Sequence, residues 1–143
     1  MLFRSGLGAD TLLGGAGDDT YIVDLNANGS LQDTVTETGG TEGGNDTLKL
    51  RGSATGTLTL SADLEHLDAS DTGASLLNLS GNASANQLTG NTAANRLDGG
   101  DGNDTLKGGD GNDTLVGGAG KDNLQGGKGN DSYLIDRDRK SVV

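Results

Sequence analysis

Along the second half of the chain an apolar residue recurs at a fixed interval. Leu88, Leu97, Leu106, Leu115 and Leu124 fall nine residues apart, and Tyr133 takes the next position. Around each, as in Thr105-Leu106-Lys107, the neighbours are mostly polar. In an extended backbone the middle residue then faces one way and its flanks the other. The other six residues of each unit read Gly-Gly-x-Gly-x-Asp in the repeats that open at Gly99, Gly108, Gly117 and Gly126. Glycine at the first, second and fourth places permits the positive φ of a turn and lets carbonyls point inward without a Cβ in the way. The pattern predicts three-residue strands joined by six-residue turns, and no stretch shows a capped helical stripe.

The ladder weakens toward the N-terminus. The repeats at Gly81 and Gly90, "GNASANQLT" and "GNTAANRLD", keep one glycine and carry Asn86 and Asn95 where later repeats carry Asp104, Asp113, Asp122 and Asp131. One step further back, Thr72 stands at the opening position and only Leu79 remains on the ladder. A second block lies at the front: "SGLGADTLL" from Ser5 and "GGAGDDTYI" from Gly14 place Asp10 and Asp19 at the sixth position. The two blocks end alike, in "DDTYIVD" and "NDSYLID", so Tyr21 and Tyr133 are expected to be closing core rungs. Between the blocks the period is lost, although "GTLTL" at 56–60 alternates as a strand does. The expected organisation is a short repeat block over 5–24, a degenerate β-rich spacer over 25–80 that continues the stack without its metal turns, and a main block over 81–136. Residues 1–4 and 137–143 fit neither block. "LFRS" and "DRKSVV" are what the two strands of a sequencing adapter would encode, and these ends are expected to be non-native.

Composition sharpens the picture. The chain has 27 Gly, no Pro, no Cys, no Trp and 31% hydrophobic residues in 143, against about 45–50% in an ordinary domain. The bulky residues that a conventional two-layer domain needs at its centre are scarce, so either the chain is disordered or its fold is thin and stapled by something besides apolar burial. The net charge of −11 argues against nucleic acid and anionic membrane and favours cations. Without cysteine there is no disulfide, thiolate nucleophile or Cys-based zinc site. No apolar stretch approaches the roughly 18 residues of a membrane span. Met1 to Ser5 lack the apolar core of a signal peptide, so an export address is expected elsewhere.

Strands this short must stack on neighbours. If each nonapeptide is half a coil, the turns pile up in two columns on opposite edges. Asp104 and Asp122 then share one column, with Asn86 below, and Asp113 and Asp131 share the other, with Asn95 below. Asp10 and Asp19 fall in different columns, neither with a partner. Stacked strands lie about 4.8 Å apart. Two carboxylates at that separation repel by roughly 1 kcal/mol in water and about 3–4 kcal/mol at an effective dielectric near 20. Burial of one leucine returns about 1.5–3 kcal/mol, so a metal-free repeat is expected to stay unfolded once chain entropy is added. A dication between the turns reverses the sign of the carboxylate contribution. Carboxylate and carbonyl oxygens suit Ca²⁺, which takes roughly 6–8 of them; Mg²⁺ prefers a tight octahedron and keeps its waters. Zinc is disfavoured with no Cys and a single His.

Gly99 to Leu134 resembles the glycine-rich nonapeptide of the RTX (repeats-in-toxin) family, with four consecutive full matches, and residues 5–22 add a near match and a full match. The resemblance implies an all-β, right-handed parallel β-roll (a β-solenoid) with Ca²⁺ in the turns, the two repeat blocks being joined by the β-rich spacer. It implies ligands from the sixth-position carboxylates and from turn carbonyls of two coils stacked in one column. Carried over, one site combines Gly99, Asp101 and Asp104 with Gly118, Gly120 and Asp122. A second combines Gly108, Asp110 and Asp113 with Gly127, Gly129 and Asp131. Asp10 and Asp19 are further metal ligands, and Asn86/Asp104 and Asn95/Asp113 would be weak or empty. The resemblance further implies a secreted or cell-surface bacterial protein exported unfolded by a type I secretion apparatus. The chain would then be a structural, secretion-assisting module of a larger protein, folding on extracellular calcium. The alternative readings are the tail of a secreted hydrolase, marked by an upstream zinc or nucleophile motif, and a segment of an adhesin or toxin.

No constellation suggests acid–base or nucleophilic chemistry, and the chain is expected not to be an enzyme. "DGNDTLKGGDGN" resembles an EF-hand loop, but its twelfth residue is Asn112 rather than Glu. Asp33, Glu37 and Glu42 are expected on a solvated face, and His66 on a strand or edge.

Overall fold

The computed structural model describes residues 1–6, 8–26, 30–37 and 43–135; Glu42 and the end at 137–143 lie outside the described residues. In chain order the strands are β1 (Leu2–Arg4), β2 (Thr11–Leu13), β3 (Thr20–Asp24), β4 (Thr34–Thr36), β5 (Thr47–Arg51), β6 (Gly56–Thr59) and β7 (His66–Asp68). They continue with β8 (Leu77–Ser80), β9 (Gln87–Thr89), β10 (Arg96–Asp98), β11 (Thr105–Asp110), β12 (Thr114–Val116), β13 (Asn123–Lys128) and β14 (Ser132–Leu134). One 3₁₀ turn, Ser70–Thr72, is the only helical piece among the described residues.

Successive strands alternate between opposite faces. The odd-numbered ones form a parallel sheet in the order β1-β3-β5-β7-β9-β11-β13. Facing it are the parallel sheet β14-β12-β10-β8-β6 and the pair β2-β4. This is a parallel β-solenoid of about seven turns, the all-β roll that the nine-residue period predicts. The register follows the ladder: Leu88 pairs with Leu106 and Leu106 with Leu124 on one face, while Leu79, Leu97, Leu115 and Tyr133 pair on the other. Each rung leucine from Leu79 to Leu124 is fully buried between the sheets.

The middle of the chain keeps the coil and loses the count. Tyr21 pairs with Leu48, Leu48 with Leu67 and Leu67 with Leu88, so the steps stretch where loops are inserted. These strands bury two inward residues instead of one: Tyr21 with Val23, Leu48 with Leu50, Leu58 with Leu60, Leu67 with Ala69. Tyr21 was expected to close a block. It is instead an interior rung, because β5 stacks directly upon β3. Its ring lies on Phe3, with centroids 5.1 Å apart at 13°. Leu2–Arg4, which the nine-residue reading leaves outside the repeat, is a strand in register with β3. Tyr133 does sit at the end of the described stack, partly exposed, and His66 is a strand residue, as expected.

Candidate metal centre

The residue two places before each rung lies on an edge of the roll, at the start of the strand. Parallel pairing brings these residues into register, and seven of them donate their N–H to the carboxylate of the next coil. On one edge Asp19 donates to Asp46 Oδ1 at 2.8 Å, Asp46 to Glu65 Oε2 at 2.9 Å, Asn86 to Asp104 Oδ1 at 2.8 Å and Asp104 to Asp122 Oδ1 at 3.0 Å. On the other, Asp10 donates to Asp33 Oδ1 at 3.0 Å, Asn95 to Asp113 Oδ1 at 2.8 Å and Asp113 to Asp131 Oδ1 at 2.9 Å. The structure therefore brings Asp104 to Asp122 and Asp113 to Asp131, each pair in its own column.

One carboxylate oxygen thus caps a backbone donor, and the other is left over. Asp104 Oδ2 and Asp113 Oδ2 are buried without a hydrogen-bond partner, the only such side-chain atoms among the described residues. Each faces the opening glycine of its own repeat and the opening carbonyl of the next coil. A Cβ at Gly99 would overlap Asp104 Oδ2 and lie 2.6 Å from the Gly117 carbonyl oxygen; one at Gly108 would overlap Asp113 Oδ2 and lie 2.6 Å from that of Gly126. Burial pushes the Asp104 carboxyl up to about 6; the Asn86 N–H opposes the rise, and Asp122, Asp101 and Asp98 add to it. Burial also raises Asp113 against the Asn95 N–H, with Asp131 adding. A partnerless buried carboxylate oxygen beside a carbonyl oxygen is a place for positive charge, and an all-oxygen donor set fits a hard dication.

The other expected ligands fall around these cradles. Gly118 and Gly120 have φ of +86° and +154° and pack on the carbonyls of Gly100 and Gly102; Gly127 and Gly129 pack likewise on those of Gly109 and Gly111. The Asp101 and Asp110 side chains are exposed, and Asp110 pairs with Lys128 at 3.1 Å, so any inward contribution from these two is their carbonyl. Alternate carbonyls are already engaged: Gly100 accepts from the Ala119 N–H at 2.7 Å, and Ala119 from the Gly102 N–H at 2.8 Å. Gly117 and Gly126, whose carbonyls face the orphaned oxygens, were missed. Their place at the head of the upper coil was readable once two coils were stacked.

The front of the chain departs from expectation. Asp10 and Asp19 do lie in different columns, but each has a partner, Asp33 and Asp46 respectively. Asp33 is buried rather than solvated. Glu37, expected on a solvated face, is half-buried; it accepts from the Tyr21 hydroxyl and, at 3.1 Å, from the Gly15 N–H. Carboxylate oxygens of Asp19, Glu37 and Asp46 lie within 4.8 Å of one another. Burial raises the Asp46 carboxyl, the Asp19 N–H opposes, and the charges of Asp19 and Asp18 add to the rise. The inserted loops carry these partners, which is why a strict nine-residue count passed over them. The N-terminal amine also pairs with Asp19.

A parallel roll whose edges carry stacked carboxylates and turn carbonyls defines a metal-binding β-solenoid repeat protein. A family model of the RTX calcium-binding nonapeptide repeat matches residues 3–28, 80–115 and 98–133, with four copies, and so spans more than half of the chain. The chain belongs to that family. No curated protein and no solved structure matches it. No helix among the described residues is long and apolar enough to cross a membrane.

Proposed function

We propose that this RTX calcium-binding module is a structural and secretion-assisting part of a larger bacterial protein, exported by a type I apparatus and folding on extracellular Ca²⁺. The observation that carries the reading is the pair of buried oxygens, Asp104 Oδ2 and Asp113 Oδ2, that have no hydrogen-bond donor and face a carbonyl of the next coil. Asp104 with Asp122, and Asp113 with Asp131, would hold the ion together with carbonyls of their glycine turns. Asp10 beside Asp33 and Asp19 beside Asp46 would serve the front coils. A bound dication supplies the positive charge that these acceptors lack. Where free calcium is low, the anionic edges keep the late coils loose enough to thread a channel. Where it is plentiful, binding to the folded state alone stabilises that state by RT ln(1 + [L]/Kd) per site.

Circular dichroism of the chain during a calcium titration tests this. Calcium should raise the β signal steeply, and magnesium at equal concentration should do so far less. A spectrum indifferent to calcium refutes the reading.

A further inference from the structure

The coils that lead into the acidic repeats solve the problem of facing acceptors in another way. At the place two residues before the rung, where late coils carry Asp, β9 and β10 are preceded by Asn86 and Asn95. Asn82 and Asn91 occupy the second place of the same turns. An amide offers an acceptor and two donors, whereas a carboxylate offers acceptors only. The acceptor halves cap N–H groups: Asn86 Oδ1 takes Asn82 N–H at 2.7 Å, and Asn95 Oδ1 takes Asn91 N–H at 2.9 Å.

The donor halves reach to the preceding coil. Asn82 Nδ2 donates to the carbonyls of Ser61 and Leu64 at 2.7 and 2.8 Å. Asn91 Nδ2 donates to Thr72 Oγ1 and the Ser75 carbonyl, both at 2.8 Å, and Asn95 Nδ2 to the Leu77 carbonyl at 2.8 Å. Asn86 Nδ2 reaches Asn82 Oδ1 at 3.1 Å. On the second edge the network continues: Thr72 Oγ1 donates to the Ala69 carbonyl at 2.6 Å, Ser75 Oγ to that of Thr72 at 2.7 Å, and Ala54 N–H donates to Ser75 Oγ at 3.2 Å. Thr72, Ser75, Asn86, Asn91 and Asn95 are all buried, and none contributes an unsatisfied side-chain atom.

We infer that residues 47–98 form a metal-independent folding unit in which these asparagine amides donate to the carbonyls a cation would otherwise neutralise, and that the calcium-dependent coils after Gly99 assemble on its open edge. The join is physical: Asn86 and Asn95 donate their N–H groups to Asp104 and Asp113, so the finished unit presents two hydrogen-bond donors to the first two acidic turns. Buried polar groups that are fully paired cost little and fix a unique register. The contrast with the late coils rests on the calcium reading; the amide clamp does not.

Amide hydrogen exchange of the full chain in excess chelator separates the two claims. Amides of β6 to β10 should be protected by roughly 100-fold or more, while those of β12 to β14 exchange freely until calcium is added. Free exchange throughout β6 to β10 in chelator overturns the inference. Protection of every strand in chelator overturns the calcium reading and leaves the metal-free unit standing. Asn95→Asp keeps size and acceptors but removes the donor, and should cut protection of β8 and β10 in chelator by about tenfold or more. Asn112→Asp, the same charge change at an exposed turn position, is the control and should leave those strands within about twofold. Equal protection in the two variants refutes the clamp.

Discussion

The coils of residues 47–98 and those of 99–134 share one backbone trajectory and differ at two places of the unit, the asparagine or aspartate two residues before the rung and the residue two past it. Two residues past the rung, the middle strands bury Leu50, Leu60 and Ala69. At the same place glycine opens the turn from Gly81 and Gly90, in the asparagine coils, through Gly99, Gly108, Gly117 and Gly126. Removing a side chain there opens the cradle between coils and forfeits about 1.5–3 kcal/mol of apolar burial for each leucine replaced. The buried apolar residues follow: twelve fall between Leu48 and Leu97, and only Leu106, Leu115 and Leu124 between 99 and 134. Apolar core and open cradle are thus alternatives at this position, and the side chain facing the cradle, the amide of Asn86 and Asn95 or the carboxylate of Asp104 and Asp113, divides the opened coils in turn.

The largest expected effect breaks the late coils by filling a cradle. Gly118 has φ of +86° and its Cα faces the backbone of Gly100. Gly118→Ala adds left-handed strain and a backbone collision that no rotamer relieves, at about 3–6 kcal/mol. It should abolish the calcium-induced β signal of the last coils. Gly73 in the middle also has positive φ, +61°, but open space around it. Gly73→Ala should cost only the strain, about 1–3 kcal/mol, and leave the calcium response intact. Equal losses in thermal melts would contradict the contrast.

Next comes a pair of comparable size but different metal dependence. Leu67→Ala empties a fully buried rung of the middle and should cost about 2–5 kcal/mol with calcium or with chelator. Asp113→Ala removes the oxygen that caps the Asn95 N–H and the orphaned oxygen beside the Gly126 carbonyl. It should cost about 2–3 kcal/mol in calcium and little in chelator, where it also removes an uncompensated buried carboxylate. Melts of both variants in the two media decide it; an Asp113→Ala penalty that persists undiminished in chelator would show the carboxylate acting as structure alone.

What the sequence made legible divides along the same line. From Leu79 to Tyr133 the period predicts each strand, its inward residue and the acid columns, because glycine turns of fixed length leave the count undisturbed. Before Leu79 the count fails, because loops separate Tyr21 from Val35 and Val35 from Leu48. The remaining clue was apolar-x-apolar at "YIV", "LKL", "LTL" and "LNL", which marks two inward residues per strand but carries no register. Phe3 extends the ladder of Leu12 and Tyr21 backward by one more step of nine and was passed over beside an end that looked foreign. The partners of Asp10 and Asp19 were hidden because pairing across an inserted loop has no spacing to recognise. The amide clamp was hidden because asparagine in a degenerate repeat reads as loss of a ligand, and only coordinates show where its donors go.

A smaller effect comes from pH. The ordinary aspartate value is 3.8, and in the fold Asp104 is pushed up to about 6, chiefly by burial. Between those values the folded chain holds a proton that the unfolded chain has released, so acid stabilises the metal-free fold. The gain begins as pH falls through about 6, is complete near 4, and is lost as pH rises. A shift of that size corresponds to on the order of 3 kcal/mol. In chelator, protection of β11 should therefore increase from pH 7 to pH 4.5. Calcium needs the ionised carboxylate, so its midpoint should move to higher concentration over the same range. Asp104→Asn should flatten the chelator profile; a profile unchanged by that variant would place the titration elsewhere.

The smallest effect lies on the outside of the late coils, where Lys128 Nζ reaches Asp110 at 3.1 Å on well-exposed side chains. Exposed pairs of this kind contribute about 0–1 kcal/mol and are screened by salt. Asp110 sits at the third place of its turn, with its carboxylate in water. Lys128→Ala should therefore shift the calcium midpoint by less than about twofold, and that shift should fade at high ionic strength. Asp110→Asn should behave the same way, since it keeps the carbonyl. A loss approaching that of Asp113→Ala would mean that the exposed carboxylate itself reaches the ion, and the division between inward carbonyls and outward side chains at this turn position would have to be redrawn.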